Sequence, residues 1–255
     1  MTRSQDQQKA TAYWVRHFDV CSADDHLTST REIHIVDKPG SGKTELFVQF
    51  CAHAIANRLR VLILCPTGQL VATYRQRLPD VEFIRIETIH AGMAIDREEE
   101  SLVDHSPPSS LCRYDAILLD ECSQIDNATG RKITTAIDEI IQKPFVAKAA
   151  DYKQLQPVVS GNKTSAPDPS YMARCSQKLT TVTLNTIYRT DDPALLEFLN
   201  LVRDSQPCQE TIYEFFISRR WRHVNDDSLQ DAVKEGIKLE KSIGEPFVWL
   251  CVTNK

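Results

Sequence analysis

Short apolar runs alternate along the chain with stretches in which apolar residues recur at helical spacing. The runs that predict strands occupy residues 33–36, 60–65, 81–86, 116–119, 145–147, 181–184 and 247–252. Helical spacing follows several of them, most clearly at residues 128–141 and 193–203. Strands that alternate with helices predict an α/β fold, with a parallel sheet covered by helices on both faces.

Two regions outside this alternation have their own patterns. Near the start, Ala10, Trp14 and Phe18 fall on one helical stripe, which predicts a short amphipathic helix. Residues 96–110 are acidic, rich in proline and serine and without a period, which predicts a surface loop. The sequence contains no internal repeat.

A glycine-rich turn lies between the strand at 33–36 and the helical stretch after it. It reads Gly40-Ser41-Gly42-Lys43-Thr44, the core of a phosphate-binding loop. Glycines let backbone N–H groups turn toward phosphate oxygens, and the helix that begins near Lys43 adds the positive end of its dipole. We expect Lys43 to reach the β- and γ-phosphates and Thr44 to hold Mg²⁺. The full pattern has glycine at position 37, where Asp37 would repel a triphosphate unless its carboxylate points away.

A second chemical centre follows the apolar run at 116–119, which ends in Asp120 and Glu121. Ligands of α/β sheets bind at the carboxyl ends of strands, so these carboxylates are expected beside the phosphate loop if the two strands are neighbours. Asp120 would hold Mg²⁺ through water, and Glu121 would orient and deprotonate the attacking water. Two acids that merely end a strand in solvent are the alternative.

Composition is that of an ordinary globular protein of 255 residues, with a net charge of −5 and a pI near 5.8. Such a charge gives no overall attraction for a polyanion, so any nucleic-acid contact must come from local clusters. The eight cysteines are scattered without a C-x-x-C pair, which favours reduced thiols and a reducing compartment. No apolar run approaches the roughly 18 residues of a membrane span, so we expect a soluble, intracellular protein.

Taken in order, the motifs resemble those of superfamily 1 DNA helicases of the PIF/RecD-like branch, of the kind found in helitron-type elements. The matching segments are QDQQKA, GSGKT, CPTGQL, TIHAG, LLDECSQ, ADYKQLQPV and LNTIYRTDD. The resemblance covers nearly the whole chain, from Gln7 to Lys255. It implies an ATP-dependent, 5′-to-3′ helicase of DNA repair or recombination that moves on single-stranded DNA with ATP and Mg²⁺. It also implies a nuclear location in a eukaryote and a cytoplasmic one otherwise.

The resemblance assigns further roles residue by residue. Gln7 would bind adenine, Gln154 would sense the γ-phosphate, and Arg189 would be an arginine finger. The residues implied to face single-stranded DNA are Pro66, Thr67, Gly68, Thr88 and His90. The implied domains are a helix within residues 1–30, a RecA-like P-loop ATPase domain at 31–180, and the start of a second motor domain at 181–255.

The family pattern continues beyond a strand such as the one at 247–252 into a second motor domain with two further motifs. We therefore expect an incomplete copy that unwinds DNA weakly or not at all alone. Two alternatives stay open. One is a P-loop ATPase of another kind, and the other is a non-catalytic remnant that binds ATP or DNA. Protein partners cannot be inferred from the sequence.

Overall fold

The computed structural model describes residues 4–19, 31–95, 107–154, 171–205 and 207–218, with positions 234, 237, 238, 241 and 242. In these ranges the strands are β1 (Glu32–Asp37), β2 (Val61–Cys65), β3 (Ile84–Thr88), β4 (Ala116–Leu119), β5 (Phe145–Ala150) and β6 (Thr180–Leu184). The helices are α1 (Gln5–Asp19), α2 (Lys43–Ala56), α3 (Gly68–Arg77), α4 (Ile89–Gly92), α5 (Asn127–Asp138), α6 (Tyr171–Ser176), α7 (Pro193–Asp204) and α8 (Gln209–Ser218). Short 3₁₀ helices at Ser109–Arg113 and Cys122–Gln124 lie before and after β4.

The described strands form one parallel sheet in the order β3-β2-β4-β5-β1-β6. This confirms the predicted α/β fold. Because all the strands run in one direction, their carboxyl ends lie at one edge of the sheet. Strands β4, β5 and β1 are neighbours in the sheet, so the loops that follow them open toward the same place.

Strand β2 shows why the apolar runs of this sequence are continuous. All five of its residues are buried. Val61 and Ile63 join a core cluster with residues of α1, α2 and α3, whereas Leu62 and Leu64 join a second cluster with residues of α4, α5 and α6. A parallel strand covered on both faces needs apolar side chains at successive positions, not at alternate ones.

Trp14 anchors the amphipathic helix α1, as its position in the apolar stripe predicts. Its indole Nε1 donates to Nδ1 of His53 on α2 at 3.0 Å, and its ring stacks on Phe50 with centroids 4.7 Å apart. Ala10 and Trp14 are fully buried, and Phe18 packs against the same cluster. This packing places the first turn of α1 beside the carboxyl edge of the sheet.

Strand β3 begins later than predicted. The apolar pattern suggested a strand at residues 81–86, but Ile84 N–H donates to the carbonyl of Val81 at 3.1 Å in a turn. Pairing with β2 therefore starts only at Ile84 and continues to Thr88. A local turn hydrogen bond has displaced the strand without changing its place in the fold.

Helix α5 is shorter than the predicted 128–141. It ends at Asp138, where the ammonium of Lys143 donates to the carbonyls of Ile137 and Asp138. A cation that binds the last carbonyls is a common way to end a helix. The short helix α6 and the helix α8 were not predicted, and the strand predicted at 247–252 lies outside the described residues.

Contacts divide the chain into two compact units, Met1–Asp192 and Pro193–Lys255. Strand β6 pairs in register with β1 and so extends the sheet of the first unit. The domain boundary after residue 180 stays a prediction. In the second unit, the rings of Phe198 on α7 and Phe215 on α8 stack with centroids 3.7 Å apart.

No helix in the described ranges is both long and apolar enough to cross a bilayer. The cysteines of these ranges are free thiols, of which Cys51, Cys65 and Cys122 are buried, Cys175 is half-buried, and Cys112 and Cys208 are exposed.

Candidate nucleotide-binding site

The predicted phosphate loop connects β1 to α2. Gly40 and Gly42 have φ angles of +83° and +91°, in the left-handed region that glycine adopts without strain. Helix α2 begins at Lys43, and its N-cap is Gly42, which has no side chain to bond the first N–H groups. Those N–H groups and the helix dipole therefore make an anion-binding position at this turn.

A cavity of about 290 Å³ opens at the loop. Its lining residues are Gly40, Gly42, Lys43, Thr44, Glu45, Arg77, Glu121, Tyr188 and Arg189. Most of these had been singled out from the sequence, but Glu45, Arg77 and Tyr188 had not. Arg77 of α3 forms an ion pair with Glu45 of α2 at the cavity wall.

Lys43 and Glu121 face each other in this cavity. The ammonium of Lys43 lies 3.3 Å from Oε1 of Glu121, and the lysine side chain is only 7 % exposed. The other carboxylate oxygen of Glu121 is buried without a hydrogen-bond partner among the described residues. An ammonium beside a partly satisfied carboxylate can bind a phosphate and a water molecule at adjacent positions.

Asp120 lies deeper than Glu121 and is held by three donors. Its Oδ2 accepts from the hydroxyls of Tyr74 at 2.6 Å and Thr44 at 3.4 Å, and its Oδ1 accepts from Glu121 N–H at 2.9 Å. Burial raises the pKa of Asp120, although the Tyr74 hydrogen bond and the charge of Lys43 act in the opposite direction. Glu121 itself has φ of +50°, so the chain turns sharply between the two carboxylates and directs them differently.

The oxygen atoms of Thr44 and Asp120 fit a magnesium site. A hydroxyl and a carboxylate are the hard oxygen ligands that Mg²⁺ takes, and the two side chains lie within hydrogen-bond distance of each other. No group of three or more His, Cys, Asp or Glu residues in the described ranges is arranged to hold a metal. An ion bound by the Thr44 hydroxyl, with Asp120 holding one of its waters, would therefore complete its shell with phosphate oxygens and water, as Mg²⁺ commonly does.

Arg189 packs directly against the phosphate loop. The N–H of the preceding Tyr188 donates to the carbonyl of Gly40 at 2.8 Å. A Cβ placed on Gly40 would lie 2.5 Å from Cβ of Arg189. The absence of a side chain at Gly40 is what allows Arg189 to line the cavity at this distance.

Gln7 is also next to the loop. It is 4 % exposed, and its amide Nε2 donates to the carbonyl of Ser41 at 3.3 Å. The same nitrogen would lie 2.7 Å from a Cβ on Gly42. The first turn of α1 is thus held against the loop by a polar contact as well as by the packing of Trp14.

Gln154 lies at the same edge of the sheet, after β5. Its Nε2 donates to Oδ2 of the fully buried Asp151 at 3.0 Å, and Lys153 N–H donates to Oδ1 at 3.1 Å. Strand β5 lies between β4 and β1, which places Asp151 between Asp120 and the phosphate loop along the edge. Gln154 does not line the cavity in the described part of the chain.

The residues expected to face DNA gather at the ends of β2 and β3. Cys65 and Thr88 are register partners, so the segments that follow the two strands are neighbours. Thr67 and Thr88 are the N-caps of α3 and α4, and their hydroxyls accept from Leu70 N–H at 3.3 Å and Ala91 N–H at 3.4 Å. Thr67 and Gly68 are exposed, whereas Pro66, Thr88 and His90 are half-buried.

Two parts of the predicted site are outside the described structure. They are the side chain of Asp37, of which only the backbone at the end of β1 is described, and residues 155–158 of the ADYKQLQPV segment. The expected repulsion between Asp37 and a triphosphate stays a prediction.

Sequence reasoning missed Tyr74 and Tyr188. Tyr74 lies in the apolar stripe of α3, and in the sequence only its hydroxyl indicates a polar partner in the core. Tyr188 adjoins Arg189 in the same motif, but nothing in the sequence indicated that its backbone would bond the loop.

Residues 23–159 match a family model described as an AAA domain. Solved structures of Pif1 helicases have the same fold. The Candida albicans Pif1 helicase matches with a TM-score of 0.59 and 16 % identity over 89 % of this chain. A Pif1 helicase studied at forked double-stranded DNA matches with a TM-score of 0.55 and 18 % sequence identity over 82 % of this chain. A Bacteroides sp Pif1 in complex with ADP-AlF4 matches with a TM-score of 0.53 and 18 % sequence identity over 82 % of this chain.

This chain spans about half the length of those solved chains, namely 50 %, 50 % and 48 % of them. At such identities the likeness shows the RecA-like α/β fold of their motor domains. No curated protein matches the sequence at a significant level.

Proposed function

The chain belongs to the AAA domain family, and from this premise we propose that it binds and hydrolyses ATP as a motor domain of a superfamily 1 DNA helicase. The observation that carries the proposal is the cavity in which the phosphate loop, the Lys43–Glu121 pair and Arg189 meet. Cations and a carboxylate around a glycine-rich loop are the parts that phosphoryl transfer needs, because that reaction depends on positioning and on charge stabilisation. The motor-domain fold shared with Pif1 helicases supports the helicase assignment.

Each side chain has a distinct task in this proposal. The loop N–H groups and Lys43 bind the phosphates, and Glu121 orients the attacking water and accepts its proton. Arg189 stabilises the charge that develops on the γ-phosphate, a contribution of roughly 10³ to 10⁵ in rate for an arginine finger. Its close packing on Gly40 supports that role, since it fixes the arginine next to the loop.

Four further residues complete the nucleotide site. Thr44 and Asp120 would hold Mg²⁺, which neutralises charge on the phosphates when it is bound. Gln7 would bind the adenine through its amide, which is supported by its contact with the phosphate loop. Gln154 would report the γ-phosphate to the rest of the motor, which is supported by its hydrogen bond to Asp151 at the end of β5, the strand between β4 and β1.

We place single-stranded DNA across the ends of β2 and β3, at Pro66, Thr67, Gly68, Thr88 and His90. The exposure of Thr67 and Gly68 supports contact with the DNA backbone. Both lie at the start of α3, where N–H groups and the helix dipole favour a phosphate. Affinity should therefore fall with salt and depend little on base sequence. A 5′-to-3′ direction rests on the motif resemblance alone.

Hydrolysis tests the proposal. Glu121→Gln keeps the shape of the side chain but removes the base, so we expect ATP to bind normally while turnover falls about 10²-fold or more. Glu139→Gln is the matched control, since Glu139 is exposed at the end of α5. Each variant is measured by phosphate release with Mg²⁺, with and without oligothymidylate, beside a fluorescent-nucleotide titration.

The outcomes separate the alternatives. Binding without turnover in the wild-type chain under all conditions would favour a non-catalytic role. Turnover that Glu121→Gln leaves intact would show that another group activates the water. Turnover insensitive to DNA, together with no DNA binding, would favour a P-loop ATPase of another kind. Duplexes with a single 5′ or 3′ tail then test strand separation and its direction.

A further inference from the structure

Tyr74 makes the shortest side-chain contact to the proposed magnesium carboxylate. Its phenolic O–H donates to Oδ2 of Asp120 at 2.6 Å, and the two residues are 0 % and 1 % exposed. A hydrogen bond from a hydroxyl to a carboxylate is short and strong, and an interior with little water strengthens it further. The proposed function gives no task to this tyrosine.

The acceptor capacity of Asp120 is largely accounted for by protein donors. An ionised carboxylate has about four acceptor positions. Glu121 N–H uses one on Oδ1, and Tyr74 uses one on Oδ2. Thr44 approaches the second position of Oδ2 at 3.4 Å, a long contact that its hydroxyl can give up when it turns to a metal. The positions left for the water shell of a cation are those that Tyr74 and Glu121 N–H do not occupy.

Tyr74 is itself held rigidly. Its ring is fully buried in the core cluster that contains Phe47 and Phe50 of α2, and its backbone belongs to α3. The hydroxyl therefore has one fixed position, set by packing and not by the charge of its partner. A donor in a fixed position restricts the rotation of the Asp120 carboxylate. The longer contact from Thr44 does not restrict this rotation.

We propose that Tyr74 is a positioning residue, whose hydroxyl fixes Oδ2 of Asp120 so that the remaining acceptor positions face the water shell of a nucleotide-bound Mg²⁺. The inference rests on the proposed function, in which Asp120 binds that ion. Tyr74 acts through Asp120 and touches neither metal nor nucleotide. Partners of direct metal ligands typically change metal affinity 10- to 100-fold when they are removed, and because Asp120 holds the ion through water the change expected for Tyr74 is at the low end of that range.

Tyr74→Phe tests the inference because it removes one oxygen and keeps the ring. The readout is the affinity of the protein–ADP complex for Mn²⁺, measured by electron paramagnetic resonance, with Mn²⁺ replacing Mg²⁺ at oxygen ligands. We expect about tenfold weaker Mn²⁺ binding, and metal-free affinity for a fluorescent ADP analogue, measured in EDTA, within twofold of wild type. Tyr13→Phe is the matched control, since Tyr13 packs against the same cluster from α1, and it should change neither value.

A double variant separates positioning from general damage to the fold. In an Asp120→Asn background the carboxylate is gone, so adding Tyr74→Phe should change Mn²⁺ affinity less than twofold. The double variant also keeps the test usable if Tyr74→Phe alone folds poorly. An amide at position 120 tolerates the loss of one hydrogen-bond donor better than a buried charge does.

Equal Mn²⁺ affinities for Tyr74→Phe and wild type would overturn the inference, as would a tenfold further loss in the Asp120→Asn background. Those results would leave nucleotide binding by the wild type, and so the proposed function, intact. A wild-type chain that binds no ADP at all would overturn the proposed function and the inference with it.

Discussion

Replacing Gly40 with alanine adds a Cβ at the point where Arg189 touches the phosphate loop. The new atom would lie 2.5 Å from Cβ of Arg189 and 3.5 Å from its backbone nitrogen. Ordinary carbon contacts are about 3.5–4.0 Å, so the arginine segment must retreat by about 1 Å. That movement breaks the hydrogen bond between Tyr188 N–H and the Gly40 carbonyl.

Two costs set the size of the effect. An alanine at a left-handed φ costs about 1–2 kcal/mol, and the lost hydrogen bond contributes about 1 kcal/mol. A total near 2–3 kcal/mol corresponds to a fall in melting temperature of roughly 5–10 °C for a chain of this size. Displacement of Arg189 should also slow ATP hydrolysis at least about tenfold, a small part of what an arginine finger contributes.

Melting followed by circular dichroism and phosphate release measure these two effects. Gly68→Ala is the matched control, because a Cβ there meets nothing within 4 Å and the backbone has no positive φ. Phosphate release is measured without DNA in this comparison, since Gly68 lies in the proposed DNA interface. The control should melt within about 2 °C of wild type, a shift below 1 kcal/mol. If Gly40→Ala melts and hydrolyses ATP as the control does, the close contact between Gly40 and Arg189 neither stabilises the fold nor positions the arginine.

Two further predictions concern the sheet and its edge. Burial, with the charge of Lys148, lowers the pKa of His34 to about 4, so the unfolded chain takes up this proton first as pH falls. The free energy of unfolding therefore falls by up to about 3 kcal/mol between about pH 6.5 and pH 4. His34→Leu should flatten that part of a plot of melting temperature against pH, and an unchanged plot would show that burial of His34 does not cause the loss. At the proposed DNA edge, Thr67→Asp keeps an N-cap oxygen but adds a charge that repels phosphate. It should melt like wild type yet bind fluorescent oligothymidylate more weakly, and unaltered binding would remove Thr67 from the interface.

The fold followed from the sequence where local pattern and tertiary packing agree. Strand β2 is a continuous apolar run because both of its faces are covered, and α1 was predicted from the stripe that Trp14 anchors. Strand β3 was misplaced because the turn hydrogen bond at Val81 precedes the sheet. Periodicity reports which residues are apolar, and it does not report where a turn ends.

The site was predictable as far as its residues belong to local motifs. The loop at 40–44 and the Asp120–Glu121 pair are each identified from a few adjacent residues of the sequence, and the parallel sheet brings the two segments together. The hydrogen bond between Tyr74 and Asp120 joins residues that are 46 positions apart in the sequence. The hydrogen bond from Tyr188 N–H to the Gly40 carbonyl joins the segment after β6 to the phosphate loop before α2. Such pairs depend on the packed sheet, so no local pattern contains them.

In the proposed function, the cavity at the phosphate loop binds a nucleoside triphosphate through Lys43. Titration calorimetry of Mg·ATP against the wild type and Lys43→Ala tests it, with Lys178→Ala as the exposed-lysine control. Loss of a charged hydrogen-bond donor costs about 1.5–3 kcal/mol, so Lys43→Ala should bind roughly 10- to 100-fold more weakly while the control binds like wild type. Equal affinity of all three proteins for Mg·ATP would show that Lys43 does not bind the nucleotide.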